Sequence, residues 1–492
     1  MDSPQFRFLN KKELSYIYEG NSNNVTLSSL LTLSRPFTYS QLTQSVKFGL
    51  NKIQQYYPML RSCITIMNGK WCFCEKPSSR NEISFNWIKI SSLNETIANT
   101  LENVCAREMT NDFIVEQHLC RFILITRDTL MPTSQNIDDP KENSTTEVGF
   151  VFCFLHTAFD GRNIFTVTRD FIKEFEKILL NSSENIVSTQ GLKEGQVNNL
   201  TLPKFQTCYS NFIFFKEVIT LFGWLLYKRP RNLPSSSRQI QPPLQPEKSK
   251  TNTYFHTLTR QETSYLIQFC KRHKFSVTSL LSTCISEIVS AKNGGNTVLG
   301  GLAVDLRQFL NISVKINGAF NSSILIRHPK VEFLFEEKFH RSNYINYLVN
   351  RIKITNNIIQ HSMKSGLIFH NLKFLMNGPI KSNDNMIKEE ETIIPLAYVL
   401  SNLGNCNQIV PEILKEDIIT DWNNVFLSST AKQSRGTSIE VTTLTLHGKL
   451  YMSFCACSKF ISNEDLRGFA VNVLDLIKTI CEHTSTLQEK NQ

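Results

Sequence analysis

Residues 148–162 read VGFVFCFLHTAFDGR, and a change of period inside this stretch decides the fold class. Val148 to Leu155 is an apolar run of strand length. From Gly161 to Leu180 the period changes: Ile164, Thr168, Phe171, Ile172, Phe175 and Leu179 recur mostly at three or four, which predicts an amphipathic helix. Between strand and helix stand His156 and, four residues on, Asp160 followed by Gly161. A histidine on the turn leaving a strand sits where rigid scaffold meets a cleft, which suits a general base. The glycine permits a tight turn, and the short spacing keeps the carboxylate near that turn. A plainer alternative makes His156 a hydrogen-bonded core histidine and Asp160 a helix N-cap. A zinc site is disfavoured, because His-x-x-x-Asp lacks further ligands.

Working outward, Tyr39 to Tyr57 places Leu42, Val46, Leu50 and Ile53 on one helical face. Strand-like runs at Arg61–Met67 and Trp71–Cys74 flank Asn68-Gly69, a strong hairpin signal. Cys120 to Thr126 reads as a buried strand, and 128–147 and 181–203 as loops. Pro234 to Lys250 is a linker by composition. Beyond it, helices are expected at Arg260–His273, Val277–Ala291 and Glu464–Cys481. Strands are expected at Thr297–Val304, Phe320–Arg327, Pro395–Ser401 and Asn424–Thr430. A hairpin closes on His447-Gly448, between Ser438–Leu446 and Lys449–Ser458. Strands with interspersed helices in each half give an α/β class. The expected organisation is a first half over 1–203, a crossover segment over 204–250 and a second half over 251–492.

The 492 residues carry 53 Lys and Arg against 43 Asp and Glu, a net charge of +10, with 34 Phe for a core. That composition excludes a disordered chain. The odd count of 13 Cys argues against a disulfide scaffold and for reduced thiols. The basic residues are scattered and no nucleic-acid motif accompanies them, so no nucleic-acid partner is expected. Cys72 with Cys74, and Cys455 with Cys457, lack zinc-knuckle spacing, so no metal is expected either. MDSPQFRFLNKKEL has no continuous apolar segment of the secretory type, which gives an intracellular, cytoplasmic expectation. The 16-residue Phe212–Tyr227 stretch is shorter than a spanning helix of about 20 residues. With the basic residues up to Arg231, stretch 212–231 suits either a helix packed on the core, which is favoured, or peripheral contact with an endoplasmic-reticulum or lipid-droplet surface.

The constellation resembles the HxxxD superfamily of CoA-dependent acyltransferases, and within it the chain looks most like the fungal alcohol acetyltransferase family. Four stretches carry the resemblance in order. Arg35 to Arg61, ending Tyr57-Pro58-Met59-Leu60-Arg61, is similar to the family's opening helix. His156 to Arg162 matches the HxxxDGR stretch. Val304-Asp305-Leu306-Arg307 is similar to its strand-terminal Asp-x-Arg, and Leu400-Ser401-Asn402-Leu403-Gly404 to its Ser-Asn-x-Gly strand end. There are departures. Leu155 stands where peptide-synthetase condensation domains carry an additional His, and Thr420 to Asn424 does not replace the plant Asp-Phe-Gly-Trp-Gly motif.

The resemblance implies two chloramphenicol-acetyltransferase-like α/β sandwich domains around a central tunnel, with acetyl-CoA and the acceptor meeting at His156. It implies O-acetylation of a hydrophobic alcohol. An alternative acceptor is a long-chain sphingoid-like amine such as myriocin, and another alternative is a non-catalytic binding protein of the same fold. Asp160 would be held away from substrate by an arginine, for which Arg307 is the candidate. Asp305 and Gly161 would support the site; the alternative for Arg307 is a solvated strand end. Ser401 and Asn402 would contact CoA or support the tunnel, unless Asn402 only forms the turn before Gly404. Ser428, Ser429 or Thr430 could offer a hydroxyl to the oxyanion. A thioester is already activated, so such chemistry needs a base and oxyanion donors but no covalent acyl-enzyme.

Overall fold

The structure, a computed structural model, describes residues 6–9, 13–14, 23–76, 83–90, 92, 94–113, 118–127, 146–180, 250–310, 321–330, 341–368, 396–410, 418–430 and 439–489. The expectations for the 181–203 loop, the 212–231 stretch and nearly all of the 128–147 loop and the Pro234–Lys250 linker lie outside these residues.

The first half opens with β1 (Phe6–Phe8), β2 (Asn24–Leu33) and α1 (Tyr39–Tyr56). Then come β3 (Ser62–Met67), β4 (Lys70–Glu75), β5 (Ser84–Ile90) and α2 (Ile97–Thr110). They lead to β6 (Cys120–Arg127), β7 (Thr146–Leu155) and α3 (Gly161–Leu180). The second half starts with β8 (Thr251–Leu258), α4 (Arg260–His273) and α5 (Val277–Lys292). It continues through β9 (Val298–Asp305), the single turn α6 (Arg307–Leu310), β10 (Asn321–His328) and α7 (Arg341–Lys364). It ends with β11 (Tyr398–Asn405), β12 (Ile419–Ser429), β13 (Ile439–Leu446), β14 (Lys449–Cys457) and α8 (Asn463–Glu489).

Local chemistry explains the boundaries. A capping box ties Thr38 to Gln41 at the start of α1, and Leu42, Val46, Leu50 and Ile53 are buried in the first core. Both hairpin turns have two consecutive residues at positive φ. These are Asn68 and Gly69 at 51° and 71°, and His447 and Gly448 at 50° and 76°. Such turns match the twist of the flanking strands.

Two mixed sheets result. The first runs β12-β2-β7-β6-β5, and the second β10-β9-β11-β13-β14-β8. Within the first sheet β5 and β6 are parallel, joined through α2, while β7 runs antiparallel to both of its neighbours. β12 crosses from the second half to pair with β2, with Ser429 opposite Val25. β7 therefore lies between two long partners, and behind it Phe122, Phe150, Phe152, Phe171 and Phe175 pack largely edge to face. The strand and helix that flank His156 are thus anchored in one aromatic core.

Several boundaries differ from the sequence pattern. β11 does not end at Ser401, where its pairing with β9 stops, but runs to Asn405, because β13 continues to pair with it; the register shifts after Asn402. β12 begins at Ile419 instead of Asn424, with buried Trp422 and Val425 carrying the early part. Asn424, at φ 48°, interrupts the alternation there. Among the described residues, no helix is long and apolar enough to cross a membrane.

Candidate active site

Where β7 ends, the His156 N–H donates to the Asn23 carbonyl at 2.7 Å, and Ala158 N–H donates back to Leu155 O at 3.0 Å. The imidazole is half-buried, with Nδ1 2.9 Å from Phe159 O. A carbonyl only accepts, so Nδ1 carries a proton, and in the neutral ring the lone pair is then on Nε2. This is the tautomer a general base requires.

Asp160 is only 4% exposed and does two jobs. Oδ1 accepts from Asn163 N–H at 3.1 Å and the backbone carbonyl accepts from Ile164 N–H at 2.9 Å, so the residue caps α3. Oδ2 accepts from Arg307 Nη1. Arg307 is itself 3% exposed, which excludes a solvated strand end. Asp305 Oδ1 holds the arginine from below, accepting its backbone N–H at 2.9 Å and lying 3.5 Å from Nη1. This pair ties the end of β9 to the β7–α3 turn across the two halves. Capping and pairing are therefore not alternatives here.

Gly161 is dictated by contact. A Cβ there would lie 2.7 Å from Leu427 Cδ2 and 3.4 Å from Leu403 Cδ1, on β12 and β11. Arg162 donates to Leu403 O at 3.3 Å and Arg169 to Ile409 O at 2.9 Å, so α3 rests along the second half.

The remaining candidates are spread around this turn. Asn402 Nδ2 donates to Thr278 Oγ1 at 3.0 Å on α5, and its Oδ1 accepts from Gly404 N–H at 2.9 Å. Gly404 has φ 74°, so the turn role for Asn402 is met. Strand alternation puts Ser401 on the opposite face, toward the first half. Ser429 Oγ donates to Glu440, and Thr430 Oγ1 donates to Met109 O at 2.5 Å. The Ser428 hydroxyl is fully buried against Cys455 without meeting an acceptor in hydrogen-bond geometry, and burial pushes that thiol up. Glu440 escaped the sequence analysis. Burial pushes its carboxyl up to about 7, against the Ser429 hydrogen bond that lowers it. The available signal was a charge set between Ile439 and Val441 in an otherwise apolar-and-threonine strand.

No protein-family model matches the chain, and no curated protein matches it by sequence. Solved structures do. The trichothecene 15-O-acetyltransferase of Fusarium sporotrichioides is 11% identical, covers 96% of this chain and 95% of its own, and has a TM-score of 0.68. The first condensation domain of the CDA synthetase is 9% identical over 98% of this chain and 96% of its own, at 0.58. The epimerization domain from the third module of tyrocidine synthetase B is 12% identical over 98% of both chains, at 0.55. These are likenesses of fold. The chain has the two-unit α/β sandwich architecture that those acyltransferase and condensation-type structures share.

Proposed function

We propose that this chain is an acetyl-CoA-dependent acetyltransferase acting on the hydroxyl of a hydrophobic alcohol, with His156 as general base. The observation that carries the reading is the imidazole on the β7–α3 turn, its Nδ1 donating to Phe159 O, which in the neutral ring puts the lone pair on Nε2. His156 takes the acceptor's proton as the new C–O bond forms, and returns it to the departing thiolate as the C–S bond breaks. Proton, ester and free thiol then balance. Asp160 has both oxygens occupied by Asn163 and Arg307, so it acts as a positioning residue that fixes the turn bearing the base. A base so placed contributes about 10²–10⁴-fold in rate.

The experiment is incubation of the purified protein with acetyl-CoA and a panel of long-chain alcohols and amines, following free thiol. Thiol release above hydrolysis with alcohols, lost in His156→Ala, supports the reading. Faster turnover with amines than with alcohols of equal length moves it to N-acetylation. No release with any acceptor favours a non-catalytic binding protein.

A further inference from the structure

The three central strands of the second sheet present a second feature that leads to the same turn. Leu302, Tyr398, Leu400 and Val441 face the helices of the second half and belong to its core. Alternation therefore turns Ala303, Val399, Ser401, Glu440 and Thr442 toward the first half. The register sets them in rows, Gly301 beside Val399 beside Glu440, and Ala303 beside Ser401 beside Thr442. Every member of this wall except Glu440 is small. Ala303, Val399, Ser401 and Glu440 keep accessible surface although they lie on inner strands. Glu440 is partly accessible, and its hydroxyl partner Ser429 lies on β12 of the first sheet, so its side chain faces the first half. Along β9 the same face reaches Asp305, and through it the Arg307–Asp160 pair beneath His156.

Glu440 is the one ionisable group in those two rows. Its hydrogen-bond partner is the neutral Ser429 hydroxyl, and among the described residues no cation lies within ion-pair distance of it. A buried carboxylate without a counter-charge is costly and invites a cation.

We propose that Glu440 binds an ammonium group carried by the acceptor, so that the acceptor is an amino alcohol held at its amine while a separate hydroxyl meets His156. Ser429 lies on β12 and His156 leaves β7, with β2 between them. By register Ser429 is level with Phe154, two residues before His156, so two spacings of about 4.8 Å and two residues of about 3.3 Å put the Ser429 and His156 backbones roughly 12 Å apart. This assignment rests on the acetyl-transfer reading above and adds the acceptor class to it.

The test compares octan-1-ol with 8-aminooctan-1-ol as acceptors, in the full chain and in Glu440→Gln, with product identified by mass spectrometry. We expect a KM lower by about ten- to hundredfold for the amino alcohol, the range of a charge-assisted hydrogen bond, and an O-acetyl ester as product. In Glu440→Gln the KM ratio of the two acceptors should collapse toward one. Calorimetric binding of the amino alcohol without acetyl-CoA, to both proteins, separates the two claims. Glu440-dependent binding with no transfer to any acceptor keeps the site and removes the acetyltransferase reading. Transfer with an unchanged KM ratio in Glu440→Gln, or an amide as the main product, overturns the site and leaves that reading standing.

Discussion

Ser458 holds in the second sheet the place that His156 holds in the first. His156 N–H donates to Asn23 O, just ahead of β2, and Ser458 N–H donates at 2.8 Å to Lys250 O, just ahead of β8. Ala158 N–H reaches Leu155 O, and Phe460 N–H reaches Cys457 O, both at 3.0 Å. Asp160 caps α3 through Asn163, and Ser462 Oγ caps α8 by accepting from Asp465 N–H at 3.0 Å. The Ile164–Asp160 bond has its counterpart in Leu466–Ser462 at 3.0 Å. The backbone device is built twice. Only the first copy has an imidazole at its mouth and a carboxylate that reaches a buried arginine. The fold thus supplies a strand-to-helix turn facing the other half, and side chains alone decide which turn has a chemistry.

The largest expected difference is in rate. His156→Ala should lower acetyl transfer by about 10²–10⁴-fold, with the unfolding midpoint and acetyl-CoA binding nearly unchanged, whereas Ser458→Ala should leave the rate within about twofold, as surface-like substitutions outside a site do. Equal losses in the two variants, measured by product formation, would dissolve the contrast.

Stability comes next. Asp160→Ser gives the first turn the cap of the second but leaves buried Arg307 with only the more exposed Asp305, 3.5 Å from Nη1, as carboxylate partner, which should cost about 3 kcal/mol in denaturant unfolding, the low end for a broken buried pair. Ser462→Ala removes only a cap, about 1 kcal/mol. In a double-mutant cycle of Asp160→Asn with Arg307→Ala, the second change should cost less once the first is made. Additive losses would show that the two residues do not act as a pair.

A smaller effect separates the first helical residues of the two turns. Gly161→Ala drives a methyl to 2.7 Å from Leu427 Cδ2, so Leu427 must shift, at about 1 kcal/mol, the low end of overpacking costs. Asn463, its counterpart, already carries a side chain. Asn463→Ala should be close to neutral in the same thermal melts.

The last difference is a pH slope. Burial raises the Glu440 carboxyl to about 7 in the folded chain, above its unfolded value of about 4.3. The folded state therefore binds the extra proton between these values, and stability should fall as pH rises from about 4.3 through about 7. Glu102, pushed by burial to about 7 against the Phe255 backbone and Arg467, adds in the same direction. Glu440→Gln should flatten part of the slope in urea titrations at pH 5 and pH 7.5; an unchanged slope removes Glu440 from it.

The strand, turn and helix around His156 were legible because each has a clear period: eight apolar residues, then spacing of three and four from Gly161 to Leu180, the bounds the structure has. β2, a central strand of the same sheet, was not singled out. It buries Thr26, Ser28 and Ser29 along with its leucines, so neither face reads as apolar. The allegiance of β12 to the first sheet is a pairing between residues such as Ser429 and Val25, distant in the chain, and no local pattern carries it. The duplicated turn is equally silent, since it is written in backbone hydrogen bonds while His156 and Ser458, or Asp160 and Ser462, share no chemistry. Glu440 was missed because one charge in a strand reads as a solvent-facing position until a second half covers it.

The central claim is that the base stands at the first turn and not at the second, and chemical rescue tests it most directly. His156→Ala and Ser458→Ala would be assayed with acetyl-CoA and a long-chain alcohol, with and without added imidazole, measuring the acetylated alcohol itself so that acetyl-imidazole is not counted. Imidazole should restore part of the ester formation lost in His156→Ala and change nothing in Ser458→Ala. A folded His156→Ala protein that makes ester at the wild-type rate without imidazole would contradict it.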